Sequence, residues 1–339
     1  MGFLGIEAIS TDYVTQCELH GWPYRFFAAT PGKPWRTWPA IYRWLMEEQP
    51  EAVLLHSVTA ILPCWWYKSK TGAKIIAVEH QPNALKKRSE WWVSRLLPRL
   101  ADAIVCLTPG YRLELERALG GAFRKEKVTV IPNGIDVSKF APRDNRQPDE
   151  IEDTVRLGMA ARFSNKKRQD CLVEMMRYLQ TDGHDHREYR LSLAGDGTEL
   201  ERVKHLASEL GVADRVDFPG YLGESDLIEW YRGLDIYLHA SDGETLSTSL
   251  LQAMAMRLPI VASDVDGISN LLGQGDAGTF GLLSKNSPRR FAEQVVRLAS
   301  SRQERIAVAE AAYKAAHHNY SNEAMFRSYD ALIKRLITS

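Results

Sequence analysis

Cysteine is scarce in this chain of 339 residues, where Cys17, Cys64, Cys106 and Cys171 stand far apart. They form no CxxC pair and no metal-ligand spacing, which speaks against a cysteine zinc site and against a disulfide framework. Cys106 lies in the apolar run DAIVCL and Cys171 opens an apolar helical face, so buried free thiols in a reducing compartment are expected. Long apolar runs are missing as well. No segment reaches the roughly 18 apolar residues of a membrane-spanning helix, and no signal-peptide pattern opens the chain. Cytoplasmic location is the expectation. Net charge is zero, with 43 Lys+Arg against 43 Asp+Glu, and no RNA- or DNA-binding motif is present, so no nucleic-acid partner is expected.

What is present reads as a soluble globular protein: 45% hydrophobic and 25% charged residues, with length for two cores. The balanced charge conceals an asymmetry. Residues 1–140 hold 18 Lys+Arg against 13 Asp+Glu, together with eight of the nine tryptophans. Halves so different are suited to different partners.

Short apolar strands recur through the first half: YRFFAA, AVLLHS, AKIIAVEH, ADAIVCLT and KVTVIPNG. Helical stretches separate most of them, the pattern of a parallel sheet wound by helices. The polar run FAPRDNRQPDEIEDT then marks an interdomain linker. Alternation resumes with strands near Val155, Leu191, Val216, Ile236, Ile260 and Phe280. The predicted organisation is an N-terminal domain over 1–140, a linker over 141–153 and a C-terminal domain over 154–319, followed by a helix within 320–339. No tandem repeat is evident.

The most informative segment is SDGETLSTSLLQAMAMRLPIVASDVDG, Ser241 to Gly267. Asp242, Gly243 and Glu244 read as loop, and Thr245 to Ser249 supply helix-capping side chains. LLQAMAM is an apolar helix ended by Pro259, and Ile260 to Ala262 form a buried strand. A helix N-terminus offers unpaired N–H groups and partial positive charge, a seat for a diphosphate built here from the backbone of Leu246, Ser247 and Thr248. Glu244 beside it can accept hydrogen bonds from hydroxyls. Earlier, Val155 to Ala161 read as a strand, and a helix begins near Arg168. Arg162 and Lys167 therefore stand at the carboxyl end of a strand, where open α/β sheets bind ligands. Arg forks onto phosphate oxygens and Lys acts as a point charge. A third strand end carries the turn Gly195-Asp196-Gly197, whose glycines permit a tight backbone path.

With PNGID (Pro132 to Asp136), the Arg162/Lys167 pair, the GDG turn, LDIYLHAS (Leu234 to Ser241) and the segment above in this order, the chain resembles the retaining GT-B glycosyltransferases, specifically glycosyltransferase family 4, over most of residues 50–339. The resemblance implies an α/β fold of two Rossmann-like parallel-sheet domains facing a cleft, with the last helix packed back on the N-terminal domain. It implies a nucleotide-diphosphate sugar as donor, no cofactor and no metal, and a glycan or lipid-linked glycan as acceptor. Arg162, Lys167, Glu244 and His80 become catalytic candidates. Gly195, Asp196, Gly197, Leu246, Ser247, Thr248 and Gln252 become donor-binding candidates. Two departures stand out. The family pairs two glutamates with seven residues between them, the second holding the nucleotide ribose, and here that position is Gln252. The family's usual glycine and glutamate downstream are Asp266 and Asn270.

The start departs too. Leu4-Gly5-Ile6-Glu7 resembles the family's Gly-Gly-x-Glu loop, yet only three residues precede it where a central strand is expected. The N-terminal domain therefore reads as lacking its first strand, or the assigned start as lying inside a longer product. Among the histidines, His80 and more weakly His56 end strands and point to a site. His239 reads as a strand residue facing the helix layer, and His184 and His186 as a solvated turn. Asp264-Val265-Asp266 looks like a metal-binding DxD but follows a late strand of the second domain, where the resembled enzymes need no metal. Lys86, Lys87, Arg88, Arg95 and Arg99 among Trp91, Trp92, Leu96 and Leu97, with Trp65, Trp66, Lys68 and Lys70 nearby, suit either a packed helix with a charged face or an anionic membrane surface. Two other functional classes remain open at this stage, a sugar-nucleotide epimerase and a non-catalytic binding homologue.

Overall fold

A computed structural model of the chain describes residues 2–5, 11–27, 34–80, 86, 88–142, 153–181, 186–273 and 279–338. Ile6, Glu7, Lys87, His184 and most of the expected linker lie outside the described residues. Two compact units emerge: Met1–Leu107 with Arg112–Ile131 and Tyr329–Ser339, and Thr108–Tyr111 with Pro132–Ser328.

In the first unit, β1 (Phe3–Gly5) and β2 (Tyr24–Phe26) pair in parallel as a small sheet. A second parallel sheet follows chain order: β3 (Ala52–Leu55), β4 (Lys74–Glu79), β5 (Ala103–Cys106) and β6 (Val128–Val130). Helices α1 (Thr11–His20), α2 (Trp38–Glu48), α3 (Ile61–Thr71), α4 (Arg88–Leu100) and α5 (Pro109–Leu119) punctuate these strands. All five predicted strands are found. Two expectations need correction. YRFFAA supplies the small sheet, and the opening segment, read as loop from Leu4, is a strand through Gly5: Phe3–Gly5 is held by Phe3 N–H donating to the Pro23 carbonyl (2.8 Å) and Phe27 N–H donating to that of Gly5 (2.9 Å). Three residues suffice because a parallel ladder needs only a few such bonds, and Phe3 stays 37% exposed, unlike a central strand.

Ile75 to Val78 and Ile104 to Cys106 are wholly buried, the unbroken apolar runs that a sheet covered on both faces requires. All four cysteines are free and buried, and burial pushes the Cys64, Cys106 and Cys171 thiols up to about 12. They are packing residues.

The second unit alternates strand and helix: β7 (Thr154–Ala160), α6 (Gln169–Thr181), β8 (Glu188–Ala194), α7 (Leu200–Glu209), β9 (Val216–Gly220), α8 (Glu224–Arg232), β10 (Ile236–His239), α9 (Thr248–Ala255), β11 (Ile260–Ser263), α10 (Asp266–Leu272), β12 (Leu282–Ser284), α11 (Pro288–Ser300) and α12 (Arg302–Asn319), before α13 (Asn322–Ile337). The last strand begins two residues beyond Phe280. Its six parallel strands lie in the order β12-β11-β10-β7-β8-β9. Winding therefore reverses between β7 and β10, and an open α/β sheet has its crevice outside the carboxyl ends at such a switch point. Val155, Leu157, Leu191, Leu193, Ile236 and Leu238 from the strands meet Leu172, Met176, Phe291, Val295 and Leu298 from α6 and α11 in one core. Each such side chain stabilises the fold by roughly 1.5–3 kcal/mol. PNGID sits with this unit, because Ile135 N–H donates to the Tyr320 carbonyl (2.9 Å) and Asn322 N–H to that of Ile135 (2.9 Å). A Cβ on Gly134 would lie 2.8 Å from Asn322 Cα, so only glycine admits this approach.

Candidate functional site

Both loops at the switch point carry charge. After β7 the chain runs from Ala161 to Arg168, and after β10 from Ala240 to Ser247. Backbone bonds zip the two together: Arg168 N–H donates to the Ala240 carbonyl (3.1 Å) and Asp242 N–H to that of Lys166 (2.9 Å). Ser241 Oγ adds a bond to the Lys166 carbonyl at 3.2 Å. Lys167 thereby sits opposite Ser241 in an isolated antiparallel bridge. Its ammonium forms an ion pair with Glu244 Oε1, with side-chain exposures of 20% and 14%. Two predicted residues, 77 positions apart, are thus brought into contact.

Glu244 has a second partner, Nε2 of His239 at 3.0 Å. Burial of the carboxyl works against its ionisation. The hydrogen bond from His239 and the charge and hydrogen bond of Lys167 overcome that, and the carboxyl falls to about 2. His239 is the correction here. Read from sequence as facing the helix layer, it ends β10, is fully buried and holds Glu244. Burial lowers its own pKa, so the ring is neutral at pH 7.

Arg162 is exposed and makes no ion pair among the described residues. The GDG turn lies against its loop. Phe163 N–H donates to the Asp196 carbonyl (2.9 Å) and Ala161 N–H to that of Ala194 (3.0 Å). Gly195 and Gly197 have φ of +136° and +149°, and a Cβ on them would fall 2.1 Å from the Ala161 carbonyl oxygen and 2.2 Å from that of Phe163. Sequence reading saw a tight turn. The stronger requirement is that this turn supports the cationic loop from behind.

Helix α9 starts at Thr248 with Ser247 at its cap, but Ser247 makes no side-chain bond to the helix N–H groups; its hydroxyl meets Ser249 Oγ at 3.1 Å instead. The expectation that Thr245 to Ser249 cap the helix is corrected for Ser247. First-turn donors without a side-chain cap are free to meet an anion. Leu246 and Ser247 are buried, at 7% and 8% exposure, while Thr248 in the first turn is exposed. Gln252 turns its Oε1 onto the hydroxyl of buried Tyr231 at 3.2 Å. Behind the Glu244 loop stands Gly267. Its Cβ would lie 1.9 Å from the Glu244 carbonyl oxygen, a role sequence reading missed because the glycine is one position later than the family pattern. Asp264 of the DVD run accepts from Ser269 Oγ at 2.7 Å, tying down the start of α10.

In the first unit, His80 follows β4 and meets His56: Nδ1 of His56 and Nε2 of His80 lie 2.7 Å apart, with the rings stacked at 5.0 Å. Lost hydration lowers both imidazoles, His80 to about 4 with a further push from His56. Both predicted strand-end histidines thus form one neutral pair. Lys86 is not on the surface. Its ammonium pairs with Glu79 at 2.9 Å with both side chains 2% exposed, and it lies 4.9 Å from the Trp91 ring centroid. An ammonium leaving water at this depth needs a carboxylate, and Glu79, at the end of β4, supplies it.

Residues 7–139 match the family model for Glycosyltransferase Family 4, and residues 141–315 that for Glycosyl transferases group 1. D-inositol 3-phosphate glycosyltransferase 2 of Catenulispora acidiphila is 27% identical over 266 residues, covering 75% of this chain and 59% of that protein. The lipopolysaccharide core biosynthesis glycosyltransferase LpsE of Rhizobium meliloti is 26% identical over 235 residues, covering 69% and 65%. The match thus spans about three-fifths of these relatives' length. Among solved structures, Anabaena Alr3699/HepE in complex with UDP and glucose has a TM-score of 0.80 at 18% identity, covering 98% of this chain and 91% of that one. Sucrose-phosphate synthase from Thermosynechococcus elongatus has a TM-score of 0.77 at 16% identity, covering 99% and 96%. At such identities the likeness speaks for the fold, GT-B, with its two Rossmann-like domains. The group 1 model takes in half the chain and every strand-end loop of the six-stranded sheet, and on that ground this chain belongs to the glycosyl transferases group 1 of glycosyltransferase family 4.

Proposed function

We propose that the chain transfers a hexosyl residue from a nucleotide-diphosphate sugar to a hydroxyl of a growing glycan, a surface polysaccharide or a lipid-linked sugar, with retention at the anomeric carbon. The observation that carries this reading is the meeting of Lys167 and Glu244 at the switch point, beside an α9 N-terminus without a side-chain cap. Cation, carboxylate and backbone donors are what a sugar diphosphate asks of a site. Lys167 and Arg162 offset the charge that builds on the departing diphosphate, and the backbone at Leu246 to Thr248 cradles it. Glu244 accepts from sugar hydroxyls. The departing phosphate takes the acceptor proton, so neither a metal nor a cofactor enters the reaction. His80, neutral in its pair with His56, serves the donor sugar as a hydrogen-bonding group, and Gln252 serves the ribose.

Calorimetric titration with UDP, GDP and ADP and their glucose or mannose conjugates, in excess chelator, tests the donor half. Binding that persists in chelator, with transfer to a glycan acceptor, is the expected result. Binding or turnover that needs added manganese or magnesium would return Asp264 and Asp266 to consideration. Conversion of the donor without acceptor would favour an epimerase, and binding without any turnover a non-catalytic homologue.

We assign the acceptor side a place at the cytoplasmic face of the cell membrane. With Lys86 buried, the support is narrower than the sequence implied but better ordered. Arg88, Trp92, Arg95 and Arg99 are exposed, Trp92 at 68%, and their spacing places them on one stripe of α4. Trp65 and Trp66 on α3 are 38% and 41% exposed. Three cations beside tryptophan suit anionic headgroups, each cation contributing about 1 kcal/mol near such a surface. Co-sedimentation with phosphatidylserine-containing vesicles should be salt-sensitive and reduced about tenfold or more by Arg88→Gln, Arg95→Gln and Arg99→Gln together. Equal binding to neutral vesicles, or none to either kind, removes the membrane from this account.

A further inference from the structure

His239 ends β10, and its imidazole is wholly buried, so both ring nitrogens need partners. Nε2 lies 3.0 Å from Oε1 of Glu244, and Nδ1 lies 3.4 Å from the hydroxyl of Tyr237. A carboxylate only accepts, so Nε2 carries the proton. Nδ1 is then an acceptor facing the Tyr237 hydroxyl, which also lies 3.4 Å from the Ala160 carbonyl. Tyr237 is itself fully buried, and its ring stacks with the imidazole at 6.2 Å and 27°. The groups facing the imidazole are therefore Tyr237, Glu244 and, through the carboxylate, the Lys167 ammonium.

The carboxylate is engaged on one side. Both His239 and Lys167 bond Oε1, and among the described residues no bond reaches Oε2. If Lys167 turned to a diphosphate, His239 would still hold Oε1. We propose that His239 is a positioning residue: as the Nε2–H tautomer fixed by the Glu244 carboxylate, it pins Oε1 of Glu244 and leaves Oε2 to accept from a donor-sugar hydroxyl. The role assigned to Oε2 rests on the reading given under Proposed function; the tautomer and the anchored Oε1 do not.

Long-range proton–nitrogen NMR of the ligand-free protein reads the tautomer directly, the His239 resonance being identified by its loss in His239→Gln. A single Nε2–H form whose midpoint lies below the ordinary histidine value near 6.5 is expected. In Tyr237→Phe, which keeps the ring and loses the hydroxyl, the Nε2–H form should persist, because the carboxylate still accepts from it. An Nδ1–H tautomer in the unmodified protein, or titration near the ordinary midpoint, overturns the proposal.

Calorimetry supplies the second arm, comparing UDP with UDP-glucose, GDP with GDP-mannose and ADP with ADP-glucose. His239→Leu should weaken the sugar conjugate about tenfold, the loss of one charge-assisted hydrogen bond, while the bare diphosphate changes less than about twofold. His239→Gln, which retains a donor, should restore most of that loss. A merely structural role would weaken both ligands together, and that result would also overturn the proposal. If His239→Leu does not fold, His239→Asn, a polar side chain whose amide ends short of the Nε2 position, carries the same comparison. Should the unmodified protein bind none of the six compounds, the glycosyltransferase reading falls, while the tautomer and the pinned carboxylate are still decided by NMR.

Discussion

Lys167→Ala should lower turnover by about tenfold to a thousandfold, the range for removing one preorganised charge contact to a developing anion. The expectation follows from where the lysine is held. Its backbone is fixed by the Ser241 bridge, and its ammonium is partly shielded from water against Glu244. A cation kept at the carboxyl end of β7 need move only its side chain to meet a diphosphate seated at the α9 N-terminus. Lys167→Arg should retain part of the rate, since charge survives and its distribution changes. Single-turnover measurement with the donor selected by calorimetry separates chemistry from product release. An unchanged rate in a folded Lys167→Ala protein would remove the lysine from the site.

Gly197→Ala should destabilise the second unit by roughly 2–5 kcal/mol, since it adds a strained left-handed φ to a backbone clash. The clashing atom is the Phe163 carbonyl oxygen, 2.2 Å from the new Cβ, and it cannot step aside cheaply. Phe163 is buried in the core and its N–H is bonded to Asp196. Gly211 makes an internal comparison. Its φ of +66° is also left-handed, but nothing lies within 4 Å of its Cβ position, so Gly211→Ala should cost only about 1 kcal/mol. Chemical denaturation of both variants decides between them. Equal costs would mean that φ alone matters and that the turn does not brace the Arg162 loop. A Gly197→Ala protein that still folds should also bind diphosphate more weakly, because the loop carrying Arg162 must shift.

Much of this architecture was legible in the residues. Alternating apolar runs and helical stretches named eleven of the twelve strands to within a few residues, because parallel strands buried on both faces read as continuous Val, Ile, Leu and Ala. The strand at Phe3–Gly5 escaped notice because three residues carry no period. GDG was visible as a turn, since glycine pairs at that spacing have few other uses. Glu244 and Lys167 were visible as strand-end charges. Gly267 was passed over within a run read for its aspartates, and only the packing of α10 against the Glu244 carbonyl shows its use.

Order along the chain therefore settled the two-domain α/β fold, the loops that bear charge and the buried thiols, all of which follow from local period and composition. Tertiary structure alone decided who faces whom. Lys167 finds Glu244 across 77 residues because β7 and β10 are neighbours in the sheet, and strand order is not written in either segment. His239 looks like any residue of an apolar strand until its register places Nε2 against Glu244. Lys86 reads as surface charge until Glu79, buried at the end of β4, requires a counter-ion. Gln252 shows no partner in its own segment, and the Tyr231 hydroxyl that donates to its Oε1 comes from 21 residues earlier. In each case the residue type sets what a side chain can bond, and the fold, by removing water, sets which partner it must take.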